Sequence, residues 1–247
     1  MVNHIPKDKT LVVLAEREPH DLRVELERFP CTRVSIHGTP ENLAALSEHA
    51  EIEDVSLQRC DISDLSALQG LSRLRRLNVA FGPLSSVELS FCRDTLEFLA
   101  LARLRRLKDL STLPLMPRLE YLVINQIHSF APPDFHSFPN LRQLSIWNTE
   151  WASLNWLSHL PQLETLHISQ VKVADQDWKP IVDLTHLRHL HGMKSVFRSG
   201  SAKEFSRLRP DVRVDQGIPA NLERHPQTKE FLEELGRKDP MKIPPEL

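Results

Sequence analysis

The residues most able to do chemistry in this chain are the imidazoles of "THLRHLHG". His189 and His191 alternate, and His167 holds the matching place about one period earlier in "LETLHIS". On a strand such alternation puts His189 and His191 on one face, and a neighbouring strand about 4.8 Å away would bring His167 beside them. Three imidazoles so placed offer a metal site or a pH-sensitive patch. No carboxylate stands at a matching ligand position. We therefore read them as exposed polar residues of a binding face, with no metal and no cofactor, and keep an enzyme or metal site as the alternative. Nothing else suggests catalysis. There is no nucleophile elbow, phosphate loop, zinc spacing or H-E-x-x-H, and seven glycines are too sparse for a phosphate cradle.

A second set of residues suggests recognition. Arg76, Phe81, Phe98, Arg103, Tyr121, Trp147 and Asn148 lie between regularly spaced aliphatic residues, as do the three histidines. Aromatic rings and arginines exposed to water are what interface hot spots are made of. Tyr121 and Trp147 are expected to be exposed, while loops could fold over Phe81 and Phe98.

The elements that must position these side chains follow from the aliphatic spacing. The pattern L-x-x-L-x-L recurs at Cys31/Val34/Ile36, Ile52/Val55/Leu57, Leu74/Leu77/Val79, Leu96/Leu99/Leu101, Leu119/Leu122/Ile124, Leu141/Leu144/Ile146 and Leu163/Leu166/Ile168, and Leu187 and Leu190 continue it. Successive starts differ by 21, 22, 22, 23, 22, 22 and 24 residues. A short strand with two inward apolar residues cannot bury them alone, so the units must stack. The pattern resembles the leucine-rich-repeat family, in short bacterial-type arrays, and "IEDVSLQRCDISDLSALQGLSR" fits best, with Cys60 at the N/C position. Degenerate turns, with Val12 and Leu14 before and Val212 and Val214 after, extend the resemblance to about residues 9 to 216.

That resemblance implies an α/β fold, a curved solenoid with parallel strands on the concave face and short helices and loops on the convex face. The expected organisation is an N-terminal capping turn (1–30), the solenoid (31–216) and a C-terminal cap and tail (217–247). The tail is expected to carry a short helix from Thr228 to Leu235, with Phe231, Leu232 and Leu235 on its apolar side. "PENLAALSEH" reads as the clearest convex helix, capped by Thr39 with Pro40 in its first position. The N/C position holds Thr39, Cys60, Gly82, Leu104, Ile127, Thr149, Val171 and Ser195, so no asparagine ladder forms. The prolines of "ALARLRRLKDLSTLPLMPR" predict extended loops.

Composition bounds the function. Thirty-one basic against 33 acidic residues, a net charge of −2, give no surplus that would favour nucleic acid or an anionic membrane. No apolar run is long enough to span a bilayer or form a signal sequence, which leads us to expect a cytoplasmic protein. Three cysteines, Cys31, Cys60 and Cys92, are expected to be buried thiols. The reading that results is a non-enzymatic protein that binds another protein on its concave face. By fold-level analogy it resembles compact bacterial binders that neutralise a toxin or enzyme, as inhibitors and immunity proteins do, with an adaptor recruiting a target to a larger complex as the rival.

Overall fold

The computed structural model describes residues 2–5, 9–15, 20–128, 130–198 and 200–215. The expected C-terminal helix lies outside them. Thirteen strands are formed among these residues: β1 (Val2–Ile5), β2 (Thr10–Leu14), β3 (Arg33–His37), β4 (Asp54–Gln58), β5 (Arg76–Ala80), β6 (Phe98–Ala102), β7 (Tyr121–Asn125), β8 (Gln143–Trp147), β9 (Glu150–Trp151), β10 (Thr165–Ser169), β11 (Lys172–Val173), β12 (His189–His191) and β13 (Arg213–Asp215). Eleven make one sheet in the order β1-β2-β3-β4-β5-β6-β7-β8-β10-β12-β13, while β9 and β11 pair separately. Only β1 runs antiparallel to its neighbour in the long sheet; from β2 onward every pairing there is parallel. Chain order equals sheet order, as a solenoid requires. The fold is an α/β leucine-rich-repeat solenoid.

The register places like on like. Val34, Val55, Leu77, Leu99, Leu122, Leu144, Leu166 and Leu190 are successive partners, and all are buried in one continuous core. At the N-terminal end the register differs by one residue from the sequence reading. Leu11 and Val13, not Val12 and Leu14, pair with Val34 and Ile36 and are fully buried. Strand geometry explains the slip, since moving a period-2 pattern by one residue exchanges its faces, and "LVVL" is apolar at both choices.

A left-handed residue follows each strand of the long sheet from β3 to β10. Gly38, Arg59, Phe81, Arg103, Gln126, Asn148 and Gln170 have φ between 50° and 82°. The amide of each residue from Gly38 to Asn148 donates to a carbonyl of the next strand, Arg59 to Ala80 at 2.9 Å for example. Non-glycine residues accept this conformation because the stacked turns hold it in place.

The return segments are short. α1 (Leu22–Arg28), α2 (Lys179–Val182) and α3 (Ser201–Leu208) are α-helical, and most other returns are single 3-10 turns. The expected helix after Pro40 is one of these, spanning Leu43–Glu48. Its cap is Asn42 in the left-handed region, and the Thr39 hydroxyl instead accepts from the Asp61 amide of the next turn at 2.6 Å. Between β6 and β7 no helix forms, as the prolines predict, yet Leu104, Leu107, Leu110, Leu113 and Met116 are all buried.

Acidic residues open many returns. Asp21, Asp64, Glu88, Asp109 and Asp134 each accept from the amide two residues ahead, on Arg23, Ser66, Ser90, Ser111 and His136, at 2.7–3.0 Å. The hydrogen bonds donated by Ser66 and Ser90 hold the Asp64 and Glu88 carboxyls below their usual pKa range. Three of the five open "DLS" or "ELS" triplets, at Asp64, Glu88 and Asp109, while Asp21 opens "DLR" and Asp134 "DFH".

Candidate functional site: the concave face

Side chains that leave the strands away from the core form three columns. The first runs Arg33, Asp54, Arg76, Phe98, Tyr121, Gln143, Thr165, His189. The second runs Ser35, Ser56, Asn78, Ala100, Val123, Ser145, His167, His191, and the third, His37, Gln58, Ala80, Ala102, Asn125, Trp147, Ser169. Arg76, Phe98, Tyr121, Trp147, His167, His189 and His191 therefore stand on this face, as their spacing implies. Phe81, Arg103 and Asn148 do not. They occupy the left-handed corner beyond the third column, because each falls two residues after the last inward side chain of its strand.

Trp147 is not exposed. It is 6% accessible, flanked by its register partners Asn125 and Ser169, with the His167 ring 5.9 Å away. On the inner side of a curved sheet, strands about 4.8 Å apart crowd their outward side chains, so a large ring lies over small neighbours instead of projecting into water. Its Nε1, like Asn125 Oδ1, is buried without a hydrogen-bond partner among the described residues.

The histidines are also more buried than a purely exposed face requires. His167 and His191 are at 6% and 4% accessibility; His189 is half-buried. His167 Nδ1 lies 3.3 Å from the Ser145 hydroxyl, and burial, with a smaller contribution from His191, lowers its pKa to about 4. A ring in that environment is neutral at physiological pH. His167 and His191 meet edge to face at 6.2 Å and His189 stacks on His191 at 6.3 Å, a spread row instead of a convergent ligand set. The group whose ligand atoms all lie within 4.8 Å of one another among the described residues is elsewhere: Asp134, His136 and His159 on the convex side.

The middle of the face is apolar. Phe98, Ala100 and Val123 form a buried cluster with the half-buried Tyr121 against it, the Phe98 and Tyr121 rings 6.4 Å apart. No loop is needed to bury Phe98. Ala80 and Ala102 form an adjoining cluster that packs on Phe81. Over Phe81 lie two guanidinium groups from the neighbouring turns, Arg103 at 4.8 Å and Arg59 at 5.7 Å from the ring centroid. The left-handed corner produces this stack by placing Arg59, Phe81 and Arg103 in successive turns at one position. Arg59 escaped the sequence reading, although its offset from Phe81 equals that of Phe81 from Arg103.

Buried thiols line the interior. Cys60 Sγ donates to the Gly38 carbonyl at 3.0 Å, and burial pushes the Cys60 and Cys92 thiols up to about 12 and the Cys31 thiol to about 11.

Among the described residues no helix is long and apolar enough to cross a membrane. A scan against protein-family models returns no match, and neither does a sequence search of characterised proteins. Solved structures do match. A leucine-rich-repeat protein of Leptospira interrogans aligns with TM-score 0.55 and 18% identity over 74% of this chain, which spans only 46% of that protein. Internalin C2 of Listeria monocytogenes aligns with TM-score 0.55 and 22% identity, over 78% of this chain and 82% of that one. At these identities the likeness is one of fold, and the fold shared is the leucine-rich-repeat solenoid.

Proposed function

We propose that the protein binds another protein through the concave face of its sheet and performs no catalysis of its own. The observation that carries this is the set of half-buried rings and guanidinium groups, Tyr121, Phe81, Arg76 and Arg103, held on the tightly packed apolar base of Phe98, Ala100, Ala102 and Val123 on adjacent strands. Solvent-reachable aromatic rings beside arginines, fixed on a packed apolar base, are the side chains from which protein interfaces draw most of their binding energy. The solenoid holds the face preformed, which lowers the entropic cost of docking. A rigid face of this kind suits an inhibitor or immunity protein that neutralises a toxin or enzyme.

The test is affinity capture with the full chain, identification of the bound protein, and measurement of its affinity for variants. Phe81→Ala and Tyr121→Ala should each weaken binding by about 2 kcal/mol or more, roughly 30-fold. Leu115→Ser, at an exposed position in the return between β6 and β7, should leave affinity unchanged. The reverse pattern overturns the proposal. Inhibition of the captured partner's activity separates the inhibitor from an adaptor, which instead bridges two proteins.

A further inference from the structure

We propose that Asp134, His136 and His159 form a binding site for one divalent transition-metal ion of the zinc class, on the convex side and apart from the concave face. Their ligand atoms all lie within 4.8 Å of one another. Asp134 caps the 3-10 turn Phe135–Ser137, and its Oδ1 accepts the His136 amide at 3.0 Å, which fixes the carboxylate and leaves Oδ2 for a ligand. His159 ends the 3-10 turn Asn155–His159 of the following unit. The two imidazoles lie face to face, centroids 3.7 Å apart and planes 22° from parallel. Zinc takes nitrogen and oxygen at about 2.0–2.2 Å, so ligand atoms on one ion lie within ~4 Å of each other. Stacked rings direct their nitrogen lone pairs in separate planes, so binding requires the His136 and His159 rings to turn until a nitrogen of each points at one ion; Asp134 and His136 are exposed and His159 is half-buried.

The support beneath the site is rigid. Phe135, between Asp134 and His136, stacks on Trp156 at 4.1 Å, and Trp156 in turn meets Trp151 at 4.7 Å. This wedge of rings sets the backbone of both turns before any ion arrives. Two imidazoles and one carboxylate with water at the remaining position suit zinc, nickel or copper, whereas calcium and magnesium prefer all-oxygen shells. Bound there, the ion cross-links the return segments of two neighbouring units.

The experiment is calorimetric titration of the chelator-treated full chain with zinc chloride, with a parallel titration by magnesium chloride. One equivalent of zinc should bind, magnesium should not, and cobalt should give the visible absorption of a low-coordinate site. His136→Ala, His159→Ala and Asp134→Asn, the last keeping the Oδ1 cap, should each weaken zinc binding at least about tenfold. The double variant His189→Ala/His191→Ala should bind as the parent does. Circular dichroism verifies each fold, and glutamine replaces alanine at either histidine where it is disturbed. No zinc binding, equal binding of magnesium, unchanged affinity in the Asp134, His136 and His159 variants, or loss confined to the His189/His191 variant overturns the proposal.

Discussion

The indole of Trp147 and the imidazole of His167 lie 5.9 Å apart, tilted by 45°, and both are withdrawn from solvent although both leave their strands on the concave side. This face thus carries side chains packed as closely as those of the core.

Trp147 is expected to act as a packing residue. Trp147→Ala should destabilise the fold by about 3 kcal/mol, the scale of removing a buried aromatic ring. Trp147→Phe, which keeps most of the ring and removes the unpartnered N–H, should cost under about 1.5 kcal/mol. Denaturant unfolding measures both. A loss below about 1 kcal/mol for the alanine variant would show that the ring contributes little to packing.

His167 makes stability depend on pH in a defined direction. Its pKa is about 4 in the folded protein against an ordinary value of 6.5, so between those values the unfolded chain binds the extra proton. The contribution is complete above about pH 6.5 and is lost as pH falls toward 4, on the order of 2–3 kcal/mol. Unfolding free energies from pH 7 to 4 should be flatter for His167→Gln than for the parent. Parallel curves would contradict the buried neutral ring.

In the leucine column, Leu144 is buried between Leu122 and Leu166 of the adjacent strands. Leu144→Ala should cost about 2–5 kcal/mol. A loss under about 1 kcal/mol in equilibrium unfolding is incompatible with this register.

Gly70 packs against the preceding turn so closely that a Cβ would stand 1.8 Å from the Ser47 carbonyl oxygen. Backbone cannot yield as a side-chain tip does, so Gly70→Ala should lower the melting temperature by several degrees. Unchanged melting would mean that these two turns separate readily.

Little of the cysteine chemistry should be accessible. With thiols pushed up to about 11 or 12 by burial, iodoacetamide at pH 8 should label Cys31, Cys60 and Cys92 slowly in the folded chain and rapidly in denaturant. Mass spectrometry gives both rates, and equal rates would refute the burial.

The amino-acid sequence by itself determined the solenoid and its core, because inward leucines repeat at a spacing that only stacked turns can satisfy. Leu77, Leu99, Leu122 and Leu144 could be assigned to one column without coordinates, as could the concave placement of Arg76, Phe98, Tyr121, Trp147 and the histidines. Tertiary structure decided what spacing cannot carry. Burial of Trp147 and His167 depends on neighbours about one period away and on how closely the sheet brings them together. The stack of Arg59, Phe81 and Arg103 depends on a left-handed corner that only cross-turn hydrogen bonds impose. The meeting of His136 with His159, one residue out of step with the repeat, depends on how two 3-10 turns of unequal length, Phe135–Ser137 and Asn155–His159, stack through Phe135 and Trp156. A periodic sequence specifies which residues face inward, whereas contacts between outward side chains are fixed only once the turns are stacked.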